Sequence, residues 1–305
     1  MKNKKTIAYL ALAAVCILWG TTYLALRVGV TQFPPFLFSF IRFILAGPIL
    51  IVILLLMGKK FPARKLIFKQ AIGGFLMCTL GIGIVGWAEV RVSSGVAAII
   101  CSMMPIWTFF INLVANREEK PTPVILIGLA TGITGVILIF SEYLAEFYKP
   151  QYLGSIIAIF IANLSWAIGT FWTKKKNSGT DPFMNAGLQM LFGGIFLLPL
   201  SLAFDDYSSI RWSSEIVFAL SYLTLIGSVA AYACYFYAVG NLPITIVSLY
   251  AYINPVIAVI LGWLVLQEKL NIKIAEAILL TLLGVYLVNK GYQLKKLWQG
   301  QLLKS

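Results

Sequence analysis

The 305-residue chain is 60% hydrophobic and only 11% charged, with a mean hydropathy of +0.90, which excludes an ordinary soluble globular domain and fits a chain immersed in a bilayer. Its 24 Lys and Arg against 11 Asp and Glu sit in short connections between apolar runs rather than along a binding stripe, so no nucleic-acid partner is expected. Histidine is absent and the four cysteines, Cys16, Cys78, Cys101 and Cys234, all fall inside apolar runs; neither Cys/His metal spacing nor a secreted disulfide framework is present, and no metal or cofactor is expected.

Ten apolar runs follow in order, at residues 7–30, 36–57, 68–88, 95–115, 124–141, 152–173, 183–204, 216–239, 244–266 and 274–288. Each is close to the ~20 residues that cross a bilayer core, and the connections carry turn signals such as Pro34-Pro35 and Pro121-Thr122-Pro123. The fold class expected is an all-α integral membrane protein of ten transmembrane helices. Lys2, Lys4 and Lys5 before the first run also suit a secretory signal, but the run continues through Trp19 to Val30, beyond the ~7 to 15 residues of a signal core.

In the first span Trp19, Thr22, Tyr23 and Leu26 share a helical face, and in the sixth Asn163, Trp166 and Thr170 form a matching stripe. Tryptophans near span ends, Trp87, Trp172, Trp212 and Trp263, suit interfacial belts; Trp19 and Trp166 lie well inside their spans, where lining a pathway competes with plain helix packing. Arg42 is about 9 Å into the second span at ~1.5 Å per residue. A charge there costs about 2.5 to 3.5 kcal/mol unless it snorkels, meets neighbouring carbonyls or binds an anionic group of a substrate. Glu89 closes the third span. The fourth contains Met103 and Pro105, the ninth Pro255; both prolines are deep in apolar helix, tolerable in lipid where neighbours satisfy the freed carbonyls. Gly128, Gly132 and Gly135 give the fifth span a face for close helix packing. Ser228, Tyr232 and Tyr235 share a face of the eighth span, as Ser248 and Tyr252 do in the ninth; interhelical bonding and substrate contact are open for both sets. Glu118 and Glu268 precede helix starts and read as structural. Glu276 has Lys273 and Lys269 as candidate partners.

The chain repeats itself. Pro255 and Glu268 keep the separation of Pro105 and Glu118, while Trp166 and Lys174 keep that of Trp19 and Arg27. Residues 1–147 and 148–291 form two repeats, and 292–305 a basic tail. Five spans per repeat is an odd number, so the second copy enters from the opposite face, the inverted arrangement that serves alternating access in transporters. With the N-terminus inside, the inner segments hold most of the basic residues and the outer ends only Arg27, Arg91, Lys149, Arg211, Lys269 and Lys273. The positive-inside rule therefore places both termini in the cytoplasm, in a multi-pass cell membrane protein whose tail lies along the inner surface with Trp298 at headgroup level.

The stretches ILWGTTYLALRVGV, IRFILAG after the double proline, WAEVRVSSGVAAII with its MMP, and AYINPVIAVILGWLVLQE resemble the EamA family of the drug/metabolite transporter superfamily over about residues 7–288. The resemblance implies spans one to four and six to nine around a central pathway with the fifth and tenth peripheral, and a member that exports amino acids, nucleobases or other small metabolites. A drug or cation efflux protein is disfavoured, since small relatives of that kind rely on a buried Glu where this chain has Trp19-Gly20. An organic-anion or phosphorylated-metabolite exchanger rests on Arg42 alone, and a membrane enzyme lacks any nucleophile with a base in reach. The partners expected are a small-molecule substrate and the bilayer, with a homodimer kept open. With no carboxylate in mid-span, coupling to protons is not expected; Glu89 is the candidate if it occurs.

Overall fold

The computed structural model describes residues 2–115, 122–176, 181–266 and 272–302. Glu118, Glu268 and Lys269 lie outside the described residues, as do the side chains of Tyr23, Arg27, Trp263 and Trp298. The secondary structure of the described residues is entirely helical. In the first run, α1 (Lys2–Gly20) is interrupted at Thr21 before α2 (Thr22–Gln32). The Thr21 and Thr22 hydroxyls turn back onto the Leu18 and Trp19 carbonyls at 2.7 and 2.8 Å, the local competition by which threonine bends a helix.

Next comes α3 (Pro35–Leu56), entered through its N-terminal proline, then α4 (Arg64–Gly74), which passes through a π-helical segment at Phe75–Gly83 into α5 (Ile84–Glu89). Ser93 caps α6 (Ser94–Cys101) by accepting from the Val96 N–H at 3.3 Å. A two-residue break at Ser102 and Met103 leads to α7 (Met104–Ala115). The break stands just before Pro105, whose ring and missing N–H disrupt the turn N-terminal to it. Thr122 caps α8 (Pro123–Ile139), after which the chain turns by 86° into a 3₁₀ segment at Ser141–Tyr148.

The second part follows a similar order. After α9 (Leu153–Lys176), Asp181 caps α10 (Pro182–Phe204) by accepting from the Phe183 and Met184 N–H groups at 2.9 and 3.3 Å. A second π-helical segment, Leu223–Ala230, joins α11 (Ser214–Tyr222) to α12 (Ala231–Asn241). The short α13 (Ile244–Ser248) breaks at Leu249 before α14 (Tyr250–Leu266), and α15 (Ile272–Leu302) closes the chain.

By length and apolarity, seven helical stretches among the described residues can cross a membrane, and eight if the bent segment after α8 counts with it. That number is smaller than the ten spans expected from the sequence, whose count is not established among the described residues. The first run carries a one-residue interruption at Thr21, the fifth turns away after Ile139, and the ninth is interrupted at Leu249 before continuing as α14. Large apolar side chains such as Leu56, Phe68, Val114, Phe218 and Leu279 face outward, as surfaces solvated by lipid do.

Two helix pairs are packed backbone to backbone. At the centre, α3 lies on α10, where a Cβ on Gly47 would come within 2.6 Å of the Leu191 nitrogen. At the side, α8 lies on α15, where a Cβ on Gly284 would fall 2.3 Å from the Gly132 nitrogen. The Gly128, Gly132 and Gly135 face therefore meets α15 and Tyr252, the close approach that small residues permit between membrane helices.

Candidate functional site

Between the helices lies a cavity of about 140 Å³. An engineered apolar cavity of about 150 Å³ accepts benzene, so the space matches a single small organic molecule. From α1 and α2 come Trp19, Thr22 and Leu26; α3 supplies Arg42, and the first π segment with α5 supplies Gly81, Ile82, Val85 and Glu89. Cys101 and Met104 flank the α6–α7 break, Ala162, Asn163 and Trp166 come from α9, and Tyr250, Ala251 and Asn254 from α14.

Both proline breaks border this space. Proline lacks the N–H that would meet the carbonyl four residues earlier; for Pro105 that residue is Cys101 and for Pro255 it is Ala251, and both line the cavity. Met104 and Asn254, the residues directly before the prolines, line it too. Asn163 donates to the Ile100 carbonyl at 2.5 Å. Asn254, with its amide nitrogen turned toward α1, donates to the Tyr250 and Cys16 carbonyls at 3.0 and 3.1 Å. The two amides thus bond carbonyls next to those the prolines free, Ile100 beside Cys101 and Tyr250 beside Ala251, within irregular helix that lipid tolerates only where its backbone is satisfied.

Arg42 is 3% exposed. Its Nε donates to Ser228 Oγ at 2.7 Å and its Nη2 to the Gly227 carbonyl at 3.3 Å. Gly227 sits in the second π segment, where the shift from i−4 to i−5 bonding leaves a carbonyl available to side chains. The Trp19 indole N–H reaches the same carbonyl at 3.0 Å. The described hydrogen-bond partners of Arg42 at the cavity wall are thus neutral. Glu89, 1% exposed, brings a carboxylate to the same wall.

An aromatic cluster adjoins the cavity. Trp19 meets Trp166, Tyr232, Tyr235 and Tyr250 at ring-centroid distances of 5.7, 5.7, 5.1 and 4.9 Å, and Trp166 meets Tyr232 and Tyr235 at 5.9 and 5.8 Å. These edge and tilted contacts are the arrangements that aromatic quadrupoles favour. The Tyr235 hydroxyl bonds Thr170 at 2.6 Å, and that of Tyr232 lies 3.6 Å from Cys78 Sγ.

Of the residues singled out from sequence, Trp19, Thr22, Arg42, Glu89, Asn163 and Trp166 are brought together around the cavity. The side chain of Tyr23 is outside what the structure describes. Thr170, Ser228, Tyr232 and Tyr235 form the layer behind the lining. Ser248 shares a 2.9 Å hydrogen bond with Thr108, and Tyr252 donates to the Leu129 carbonyl at 3.0 Å, so both turn away from the space. The break at Leu249 resets the phase of the ninth run and presents Tyr250, Ala251 and Asn254 instead. Met103 occupies the break itself while Met104 faces the cavity. Lys273 donates to Ser141 Oγ at 2.9 Å. Asn254 was findable in sequence, as a polar residue in mid-span beside a proline; Gly81, Ile82 and Val85 carried no signal.

The EamA-like transporter family model matches the chain twice, at residues 6–141 and 153–290. The inner membrane transporter YedA of Escherichia coli (strain K12) is 32% identical over 291 residues, covering 91% of each chain. The transporter YoaV of Bacillus subtilis (strain 168) is 27% identical, covering 91% of this chain and 95% of its own. A solved crystal structure superposes with a TM-score of 0.76 at 18% identity, over 92% of this chain and 95% of the other, which shows a shared fold. Matched along nearly its whole length by sequence and by backbone, the chain belongs to the EamA-like transporter family and is a multi-pass membrane transporter.

Proposed function

We propose that the cavity is the substrate site of an exporter of small metabolites such as amino acids or nucleobases, worked by alternating access between two related halves. The observation that carries this reading is the cavity's composition. Corresponding residues from both parts of the chain line it, Trp19 with Trp166, Cys101 with Ala251 and Met104 with Asn254, around the buried Arg42. Paired lining is what a site at a repeat interface requires, because each half must present a similar wall when the two exchange conformations. Indole faces give contact area to a planar or apolar body, and the two amides and the guanidinium supply the few polar groups that orient it.

Efflux of radiolabelled amino acids, nucleobases and organic acids from proteoliposomes tests the reading. The expected result is saturable transport of one small class, reduced by Trp19→Ala or Trp166→Ala with inserted protein retained. A panel that moves only lipophilic cations would refute it. A second reading, an organic-anion or phosphorylated-metabolite exchanger, is favoured by Arg42 alone; strict one-for-one exchange of anions would select it.

Transport without carboxylate-based proton coupling remains part of the proposal, supported by the absence of any Asp or Glu in the middle of an apolar run. An imposed pH gradient at equal substrate on both sides should give no accumulation of a substrate whose ionisation is constant. Uphill accumulation lost with a protonophore and in Glu89→Gln would make Glu89 the coupling group.

A further inference from the structure

Trp19 and Trp166 correspond in the repeat, yet their N–H groups are treated differently. Trp19 lies against the second π segment and donates to the Gly227 carbonyl at 3.0 Å. Trp166 lies against the first π segment, where a Cβ on Gly81 would come within 3.0 Å of its Cε3. Its N–H has no acceptor in good hydrogen-bond geometry. It lies beside the Tyr235 hydroxyl, which also shares a 2.6 Å bond with Thr170, but in poor alignment with it. Counting along the repeat that pairs Pro105 with Pro255, the residue of the first π segment that corresponds to Gly227 is Met77. Met77 belongs to that segment and is fully buried.

From this asymmetry we infer that the two tryptophan N–H groups form a reciprocal latch. Trp19 bound to the Gly227 carbonyl holds the state described here, and Trp166 bound to the Met77 carbonyl holds the opposite-facing state. The inference rests on the alternating-access reading and adds to it the residues that set the balance. A buried indole N–H held in poor hydrogen-bond geometry costs free energy, so whichever state is occupied, one tryptophan is well bonded and the other less so. The two states are thereby kept close in energy, as a carrier that visits both must have them. The second π segment supplies the carbonyl that Trp19 uses, and the latch assigns the same role to Met77 in the first. Trp19 and Trp166 act here as positioning residues that bias the halves, in addition to facing the cavity.

The chemistry at the two ends is not identical. In the described state Ser165 Oγ already donates to the Leu76 carbonyl at 2.8 Å, and the corresponding residue of the first half is Leu18, which has no donor. Arg42 shares the Gly227 carbonyl with Trp19, whereas its counterpart Gln189 bonds Gln70 and Thr173. The latch is therefore weighted rather than symmetric.

The test uses the full chain in proteoliposomes with Cys16, Cys78 and Cys234 replaced by Ala, leaving the cavity-lining Cys101 as the reporter for a membrane-impermeant maleimide applied to each face separately. Trp19→Phe should shift the ratio of labelling from the two faces away from that of the unmodified tryptophan pair by roughly two- to tenfold, the span of one typical hydrogen bond. Trp166→Phe should shift the ratio the other way by a similar factor. Incorporation of 3-benzothienylalanine at each position, which keeps the ring size and removes the N–H, should reproduce both shifts and separates the bond from packing. If the Phe variants insert poorly, the benzothienyl variants carry the test alone. Shifts in the same direction at both positions, or ratios unchanged in the benzothienyl variants, would overturn the latch while leaving alternating access standing. Labelling confined to one face in every variant would overturn both.

Discussion

Arg42 and Gln189 hold corresponding places on the two central helices α3 and α10 and behave oppositely. Arg42 reaches across to Ser228 and the Gly227 carbonyl and forms part of the cavity wall. Gln189 donates to Gln70 Oε1 at 2.8 Å and Thr173 Oγ1 at 3.0 Å, and is fully buried with no share in the cavity. On the proposed reading the two corresponding positions have been put to different uses, one to present a polar group to a small molecule and the other to seal helices together. Duplication supplies two equivalent positions, and the chemistry of each side chain decides which becomes a site. A guanidinium must find acceptors and tolerates a polar guest, while a neutral amide can be closed off completely.

The largest expected effect breaks this pair at Arg42. Arg42→Gln, which installs the residue of the second copy, should lower transport by roughly 10- to 100-fold with inserted protein retained, the worth of hydrogen bonds to a charged group. The measurement is initial efflux rate against protein reconstituted; unchanged kinetics with acidic and neutral substrates alike would leave Arg42 a purely structural role. Gln189→Ala should do the converse, lowering thermal stability by about 1 to 3 kcal/mol through the donors lost to Gln70 and Thr173, with substrate KM unmoved. A KM change as large as that of the Arg42 variant would erase the distinction between the copies.

Smaller effects sharpen the contrast between the central and peripheral pairs. Gly284→Ala would push a methyl to 2.3 Å from the Gly132 nitrogen and should cost about 1 to 3 kcal/mol by overpacking, read as a lower melting temperature in detergent with transport per folded molecule preserved. Gly154→Ala, which meets nothing within 4 Å, should change stability by less than about 0.5 kcal/mol and serves as the matched control. Asp205 and Asp181 give the finest comparison. Asp205 accepts from the Phe36 and Leu37 N–H groups at 3.3 and 2.7 Å and so caps the central helix of the other half, whereas Asp181 caps its own helix and pairs with Lys59 at 2.9 Å. Asp205→Ala should cost about 1 kcal/mol, while Lys59→Ala, which removes an exposed ion pair, should cost at most about 1 kcal/mol and less in high salt.

What the sequence determined by itself follows from local, periodic physics. Apolar runs of bilayer length, prolines at matched positions and a polar-aromatic stripe every three to four residues are properties of the chain read one turn at a time. They gave the membrane class, the family resemblance and seven of the residues that meet at the cavity: Trp19, Thr22, Leu26, Arg42, Glu89, Asn163 and Trp166. Periodicity failed where the helix itself is interrupted. The break at Leu249 turned the ninth run so that Tyr250 and Asn254, not Ser248 and Tyr252, face the space, and composition carried no sign of the interruption at Thr21 or of the 86° turn after Ile139. The two π segments were equally invisible, because a change in bonding register has no compositional signature. Only the tertiary structure decided that Arg42 and Trp19 share the Gly227 carbonyl while Gln189 is sealed away. Those outcomes depend on which helix lies opposite, and no stretch of the chain carries that information alone.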